Sequence, residues 1–227
     1  MVTTNVIYRV FHISVSGSKG TCFTIDVDRR QYLVTSRHLV ERFEGSGRIR
    51  IYHEKQWKDL DVDLVGHCTG EVDVSVLAAK LQLSPPFELE PTSAGLAYGQ
   101  EVYFLGFPYG MAEHVGDLNR DFPMPFIKKA IVSCILFKDN DVQVVLLDGH
   151  NNPGFSGAPV VFAEPNRRNY KVASVICGFR ATEEPIFEDG RATPFVYKSN
   201  TGIVVSYGIK HAVDLIKGNP IGYEMRR

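Results

Sequence analysis

Apolar residues along this chain gather in short runs rich in valine, isoleucine and aromatic side chains, and glycine, proline or charged clusters separate the runs. Such runs between turn residues predict strands. They fall at 6–15, 21–27, 31–35, 48–52, 62–66, 74–78, 101–106, 130–137, 142–147, 158–163, 170–177 and 203–207. About twelve short strands without intervening helices predict barrels or a sandwich, not a parallel βαβ sheet. Only 208–217 has helical periodicity: Ile209, Ala212, Val213 and Ile216 recur at three- and four-residue steps, and Gly218 and Pro220 then stop it. A short helix spans His38 to Phe43 at best. Pro85-Pro86, in a polar stretch over 82–97, divides the strands into two groups and predicts a crossover between two lobes. The segment 181–201, with Glu183, Glu184, Pro185, Asp189 and Gly190, reads as an exposed loop.

Composition narrows the partners. The 227 residues are 44% apolar and 22% charged with a formal net charge of -1, which suits a soluble domain with a real core. The basic pairs Arg29-Arg30, Lys128-Lys129, Arg167-Arg168 and Arg226-Arg227 are far apart in sequence. They read as solvated turns and an end, so nucleic acid is not an expected partner. The first residues carry no basic region followed by an apolar core, and no run is long enough to span a bilayer. The chain as given therefore reads as cytoplasmic, with no membrane partner. Cys22, Cys68, Cys134 and Cys177 are single and widely spaced, which suits buried reduced thiols; no CxxC pair suggests zinc.

The segment Gly149-His150-Asn151-Asn152-Pro153-Gly154-Phe155-Ser156-Gly157-Ala158-Pro159-Val160 carries the chemistry. It sets Ser156 on a glycine-bounded bend, which exposes a hydroxyl and lets nearby N–H groups converge. Acyl transfer needs both: a nucleophile, and donors aimed at the oxyanion. A serine hydroxyl also needs a base and something to orient that base. His38 follows the apolar run ending in Thr35-Ser36 and leads into Leu39-Val40, where a strand gives way to a helical turn. Asp73 enters the run Val74-Ser75-Val76-Leu77, a setting that shields a carboxylate. Asp148 lies near Ser156 but reads as a brace for the turn through backbone N–H groups, and Glu71 points the opposite way from an extended Val72. The remaining histidines, His12, His53, His67, His114 and His211, read as packing or surface groups. A His, an Asp and a Ser alone prove little, since every globular protein has such triples.

Several ordered segments add to those three residues. They are Gly20-Thr21-Cys22-Phe23, Tyr32 to Val40 around His38, Val72 to Leu77 around Asp73, Gly99 to Gly110, Ile131-Val132-Ser133, Asn152 to Val160 and the closing 202–217. In these the chain resembles the trypsin-like serine peptidases, within them the compact HtrA/DegP-like type without an appended PDZ module. The resemblance covers about 8–217, with base, acid and nucleophile in the family's order. It implies an all-β fold of two six-stranded antiparallel barrels and a short C-terminal helix in a single domain over 1–227. The first barrel spans about 6–82, the crossover 83–97, the second barrel 98–207 and the helix 208–217. The active site lies in the cleft between them, where an extended peptide can pair with strand backbone.

The resemblance implies a serine endopeptidase acting on a polypeptide through an acyl-enzyme. Ser156 is the nucleophile, His38 the general base and Asp73 its orienter, with an oxyanion hole from the N–H groups of Gly154 and Ser156 and no metal or cofactor. Position 155 is Phe, where digestive members have an aspartate that pairs with a freed N-terminus. The loop must then be ordered otherwise, by a bound substrate or an activating protein partner, with Phe155 as an apolar anchor. Ala158 replaces a frequent glycine, a small change. The pocket before the cut is drawn from His150, Asn151, Ile176, Cys177, Gly178, Phe179 and Arg180. His150 and Arg180 suit an acidic substrate residue; the remaining walls suit a medium apolar one. Two other readings stay open: a catalytically silent or partner-activated binding or sensing module on this fold, and a β-rich structural protein whose Ser, His and Asp coincide by chance.

Overall fold

The computed structural model describes residues 1–164 and 169–225, so the pairs Arg167-Arg168 and Arg226-Arg227 lie outside the described residues. A four-residue helix α1 (Thr4–Ile7) precedes six strands: β1 (Val10–Val15), β2 (Ser18–Val27), β3 (Arg30–Thr35), β4 (Ser46–His53), β5 (Gln56–His67) and β6 (Ser75–Ala79). A second helix of one turn, α2 (Arg37–Val40), sits between β3 and β4. The strands run in the order β3-β2-β1-β4-β5-β6, and β6 pairs back onto β3 through Leu33↔Leu77 and Thr35↔Ser75. The ring is therefore a closed antiparallel barrel without free edges.

The second lobe repeats the plan. The two-residue β7 (Glu90–Pro91) lies in the crossover. Next come β8 (Glu101–Gly106), β9 (Phe126–Lys138), β10 (Val142–Asp148), β11 (Pro159–Ala163), β12 (Tyr170–Glu188) and β13 (Arg191–Gly208). Their order is β11-β8-β9-β10-β13-β12, closed by β11 on β12. Helix α3 (Lys210–Gly218) and a short β14 (Tyr223–Glu224), paired with β3, end the chain. Among the described residues no helix is long and apolar enough to cross a membrane.

Strand alternation explains why the core divides into three. On β3, Leu33 joins Phe11, Ile13, Ile49 and Leu60 inside the first barrel, while its neighbours Tyr32 and Val34 point to the opposite side. There they meet Leu105, Val161, Val175 and Ile216, so both barrels share one core. A third cluster, with Val102, Phe104, Val145 and Phe155, fills the second barrel. Arg9 is fully buried and ties the first barrel to the crossover through Asp26 at 2.5 Å and the carbonyls of Pro85 and Phe87.

Two expectations need correction. The first strand starts at Val10, not at residue 6, because Thr4–Ile7 forms a helical turn with Val6 in the shared core. The segment 181–201 is no loop: β12 and β13 stay paired from Ala181↔Asn200 to Glu188↔Arg191 around a turn at Asp189 and Gly190. It is exposed, as expected. With neither face buried, the period-two signal of a strand is missing from its sequence.

Candidate active site

His38 sits on α2, directly after β3 has delivered the chain to the barrel rim. The Ser36 side chain does not cap this helix; it donates instead to the carbonyl of Ile176 at 2.8 Å. The capping role falls to Asp73, whose Oδ1 accepts the His38 backbone N–H at 2.8 Å. Its Oδ2 lies 2.6 Å from His38 Nδ1. One carboxylate thus orients both the backbone and the ring of the same histidine. Asp73 is 19% exposed and His38 45%, so the acid is shielded and the imidazole reaches solvent. Arg37 braces the loop leading to Asp73 by donating to the carbonyls of Cys68 and Gly70 at 2.6 and 2.9 Å.

Ser156 arrives from the other barrel. The carbonyl of Ile176 accepts the N–H of Gly157 at 2.8 Å as well as the Ser36 hydroxyl, so one oxygen joins the residue after Ser156 to the residue that precedes the His38 helix. Gly157 has φ +83, and a Cβ there would strike Thr21 O and Thr35 Oγ1 and lie 3.0 Å from Ser36 N. Only glycine lets the two barrels approach this closely. The Ser156 carbonyl accepts the Thr21 N–H at 2.9 Å, a second bond across the cleft. The Ser156 hydroxyl makes no hydrogen bond to His38 within 3.5 Å in this structure. Such bonds are often long without substrate.

The turn before Ser156 has a defined polarity. The carbonyls of residues 150 to 156 each accept a hydrogen bond, in order from Lys128 Nζ, Asn200 Nδ2, Phe155 N, Tyr109 N, Thr21 Oγ1, Ala158 N and Thr21 N. In a planar trans peptide the N–H points opposite to the C=O. The Pro153 carbonyl, held by Tyr109 N at 2.7 Å, therefore turns the Gly154 N–H the other way. The Phe155 carbonyl, held by Ala158 N at 2.8 Å, does the same for Ser156 N–H. Neither of these N–H groups has an acceptor among the described residues. Donors left free while the carbonyls face protein are what an oxyanion requires.

Phe155 is fully buried in the second barrel, its ring edge-on to Phe104 at 4.9 Å, so it anchors the turn as expected. Asp148 does not brace the turn. It is exposed at the end of β10, and its carboxylate bonds to no N–H of the segment. The brace is Lys128, which sequence reasoning passed over as half of a surface pair. Its ammonium lies 2.5 Å from His150 O, 2.7 Å from Asn152 Oδ1 and 5.5 Å from the Phe155 ring centroid. Its neighbour Lys129 points outward to Glu101. The signal was the alternation of β9, which sends adjacent side chains to opposite faces.

Of the pocket candidates, Asn151 and Ile176 are buried, Cys177 and Gly178 half-buried, and His150, Phe179 and Arg180 exposed. A Cβ on Gly178 would face open space. Arg180 O accepts the Thr201 hydroxyl at 2.8 Å. Glu71 does point the opposite way from the buried Val72, to Lys138 at 2.5 Å. Cys22, Cys68, Cys134 and Cys177 are free thiols, Cys22 buried and the others half-buried, and burial raises the Cys68 and Cys177 thiols to about 12, which leaves those two unreactive. A cavity of about 1020 Å³ lies behind the Asp73 loop, lined by Cys68, Glu71, Lys138 and His211, and neither His38 nor Ser156 reaches it.

Residues 20–166, more than half of the chain, match the family model described as a trypsin-like peptidase domain. No curated protein matches. Among solved structures the chain is similar to a mutant of Rv3671c from M. tuberculosis in an inactive form, at 19% identity and TM-score 0.59, covering 95% of this chain and 88% of that one. The Rv3671c protease, also in an inactive form, gives 18% identity and TM-score 0.59, with 94% and 90% covered. The HtrA-type protease AlgW with a tripeptide gives 19% and 0.59, covering 95% of this chain and 61% of that one. At these identities the likeness is one of fold.

Proposed function

The chain belongs to the trypsin-like peptidase domain family, and on that premise we propose that it is a serine endopeptidase working through an acyl-enzyme. The observation that carries the reading is the doubly bonded Asp73 carboxylate on His38, with 2.8 Å to the backbone N–H and 2.6 Å to Nδ1. In the neutral ring that carboxylate selects the tautomer with its proton on Nδ1, which presents Nε2 as the base toward Ser156.

Ser156 Oγ attacks the scissile carbonyl as its proton passes to His38 Nε2. The carbonyl oxygen gains the charge and is held by the N–H groups of Gly154 and Ser156, each worth about 3–4 kcal/mol in the transition state. Collapse of the tetrahedral species breaks the C–N bond, and His38 returns its proton to the leaving amine. Water then attacks the ester with His38 again as base, releasing the acid and restoring the serine. Asp73 holds the imidazole tautomer and stabilises its cation throughout. Ile176, Cys177 and Gly178 form the wall that receives the residue before the cut, with Asn151 behind it and a medium apolar side chain as the fitting occupant. The exposed His150, Phe179 and Arg180 lie at its mouth.

A fluorophosphonate probe tests the reading. It should label the wild-type chain at Ser156 and fail on Ser156→Ala, which should fold normally and lose about 10⁶ in turnover. A purified Ser156→Ala protein that still cleaves would overturn the assignment. The unmade Ser156–His38 hydrogen bond favours a second reading, a silent or partner-activated module on the same fold. In that case the isolated wild type stays unlabelled.

A further inference from the structure

Of the seven donors that hold the carbonyls of residues 150 to 156, six are neutral and one is charged, the Lys128 ammonium. Lys128 stands opposite Phe104 in the β8–β9 pairing, so its stem shares a face with the ring that anchors Phe155. No carboxylate lies within 4 Å of it among the described residues, and burial lowers its pKa. Lys128 is half-buried, so its ammonium gives up part of its hydration without a counter-charge and depends on its protein acceptors to compensate. Here both acceptors belong to the turn. The side chain of Asn152 passes the restraint on, donating to the Tyr109 hydroxyl at 3.3 Å, while Tyr109 N holds the Pro153 carbonyl.

We propose that Lys128 is a positioning residue of the active site. From within the chain, its ammonium clamps His150 O and Asn152 Oδ1 and so keeps the oxyanion turn in the conformation that frees the Gly154 and Ser156 N–H groups. The role rests on the serine peptidase reading. Without the clamp the segment 150–153 loosens, and the Pro153–Gly154 peptide can rotate and bury its N–H. The loss falls on the chemical step more than on binding, because those donors act where charge develops.

The experiment measures fluorophosphonate labelling over a range of probe concentrations for wild type, Lys128→Met and Lys128→Arg. In Lys128→Met the maximal labelling rate should fall about 10- to 100-fold while the half-saturating concentration changes less than about twofold. Lys128→Arg, which keeps charge and donors, should recover most of the rate. Thermal melting and circular dichroism establish that each variant is folded. Should Lys128→Met not fold, Asn152→Ala removes one acceptor at a partly exposed position and should show a smaller fall of the same kind. A wild type that labels beside folded variants with unchanged maximal rates overturns the role of Lys128 alone. Equal losses in Met and Arg variants also overturn it. A wild type that does not label overturns the peptidase reading and this role with it.

Discussion

The backbone N–H of Tyr109 holds the carbonyl of Pro153 at 2.7 Å, and through the rigidity of that peptide it decides where the Gly154 N–H points. Gly154 itself has φ +104, a conformation that disfavours any side chain. The turn is therefore posed by two constraints, one from a neighbouring loop and one from the absence of a Cβ.

Gly154→Ala should break that pose. The added methyl would strike the Phe107 carbonyl and lie 3.0 Å from Tyr109 N, so the backbone must shift out of the bond to Pro153. Strain of about 1–3 kcal/mol is expected in chemical unfolding, together with loss of fluorophosphonate labelling. Normal labelling by the alanine variant would show that the turn does not depend on this conformation.

Asp73→Asn keeps the shape and changes the chemistry. The amide oxygen can still accept the His38 backbone N–H, but its NH₂ then faces Nδ1 and selects the tautomer with the proton on Nε2. That proton occupies the atom that must act as base. Turnover should fall by about 10⁴ with little change in melting temperature. A fall below about tenfold, measured as kcat/KM on a cleaved peptide, would remove Asp73 from the mechanism.

His12 should make stability depend on pH. It is stacked on Phe107 at 4.8 Å with Nε2 buried and unpartnered, and burial first, then the nearby Lys19 ammonium, depress its pKa from 6.5 to about 4. Between those values the unfolded chain binds a proton that the folded chain does not. The neutral histidine is thus fully compatible with the fold above 6.5, and stability is lost as pH falls toward 4, by about 3 kcal/mol. Urea unfolding at about pH 7.5 and about pH 4.5 should show a smaller drop in His12→Phe than in wild type. Parallel drops would assign the acid sensitivity to other groups.

The three residues of the proposed triad were legible because each lies in a distinctive local run: His38 in the single helical turn after a strand, Asp73 just before β6, Ser156 between glycines. Lys128 was not. Next to Lys129 it looks like half of a solvated pair, and only pairing to Phe104 shows that its face is the one turned to Phe155 and the turn. Asp148 misled in the opposite way: it is close to Ser156 along the chain, yet β10 carries its carboxylate out to solvent. The paired arm beyond Ala181 stayed hidden because an exposed hairpin has no apolar face to alternate.

Local patterns of apolar and turn residues were enough to determine the class of the fold, its division into two groups of strands and the places where reactive side chains occur. Such patterns report how each segment meets water and its own backbone, and those are short-range matters. Barrel closure, the Ile176 carbonyl shared by Ser36 and Gly157, and the donors that orient residues 150 to 156 were decided only in three dimensions. These are contacts between groups far apart along the chain, and a hydrogen bond depends on direction and distance that composition does not encode.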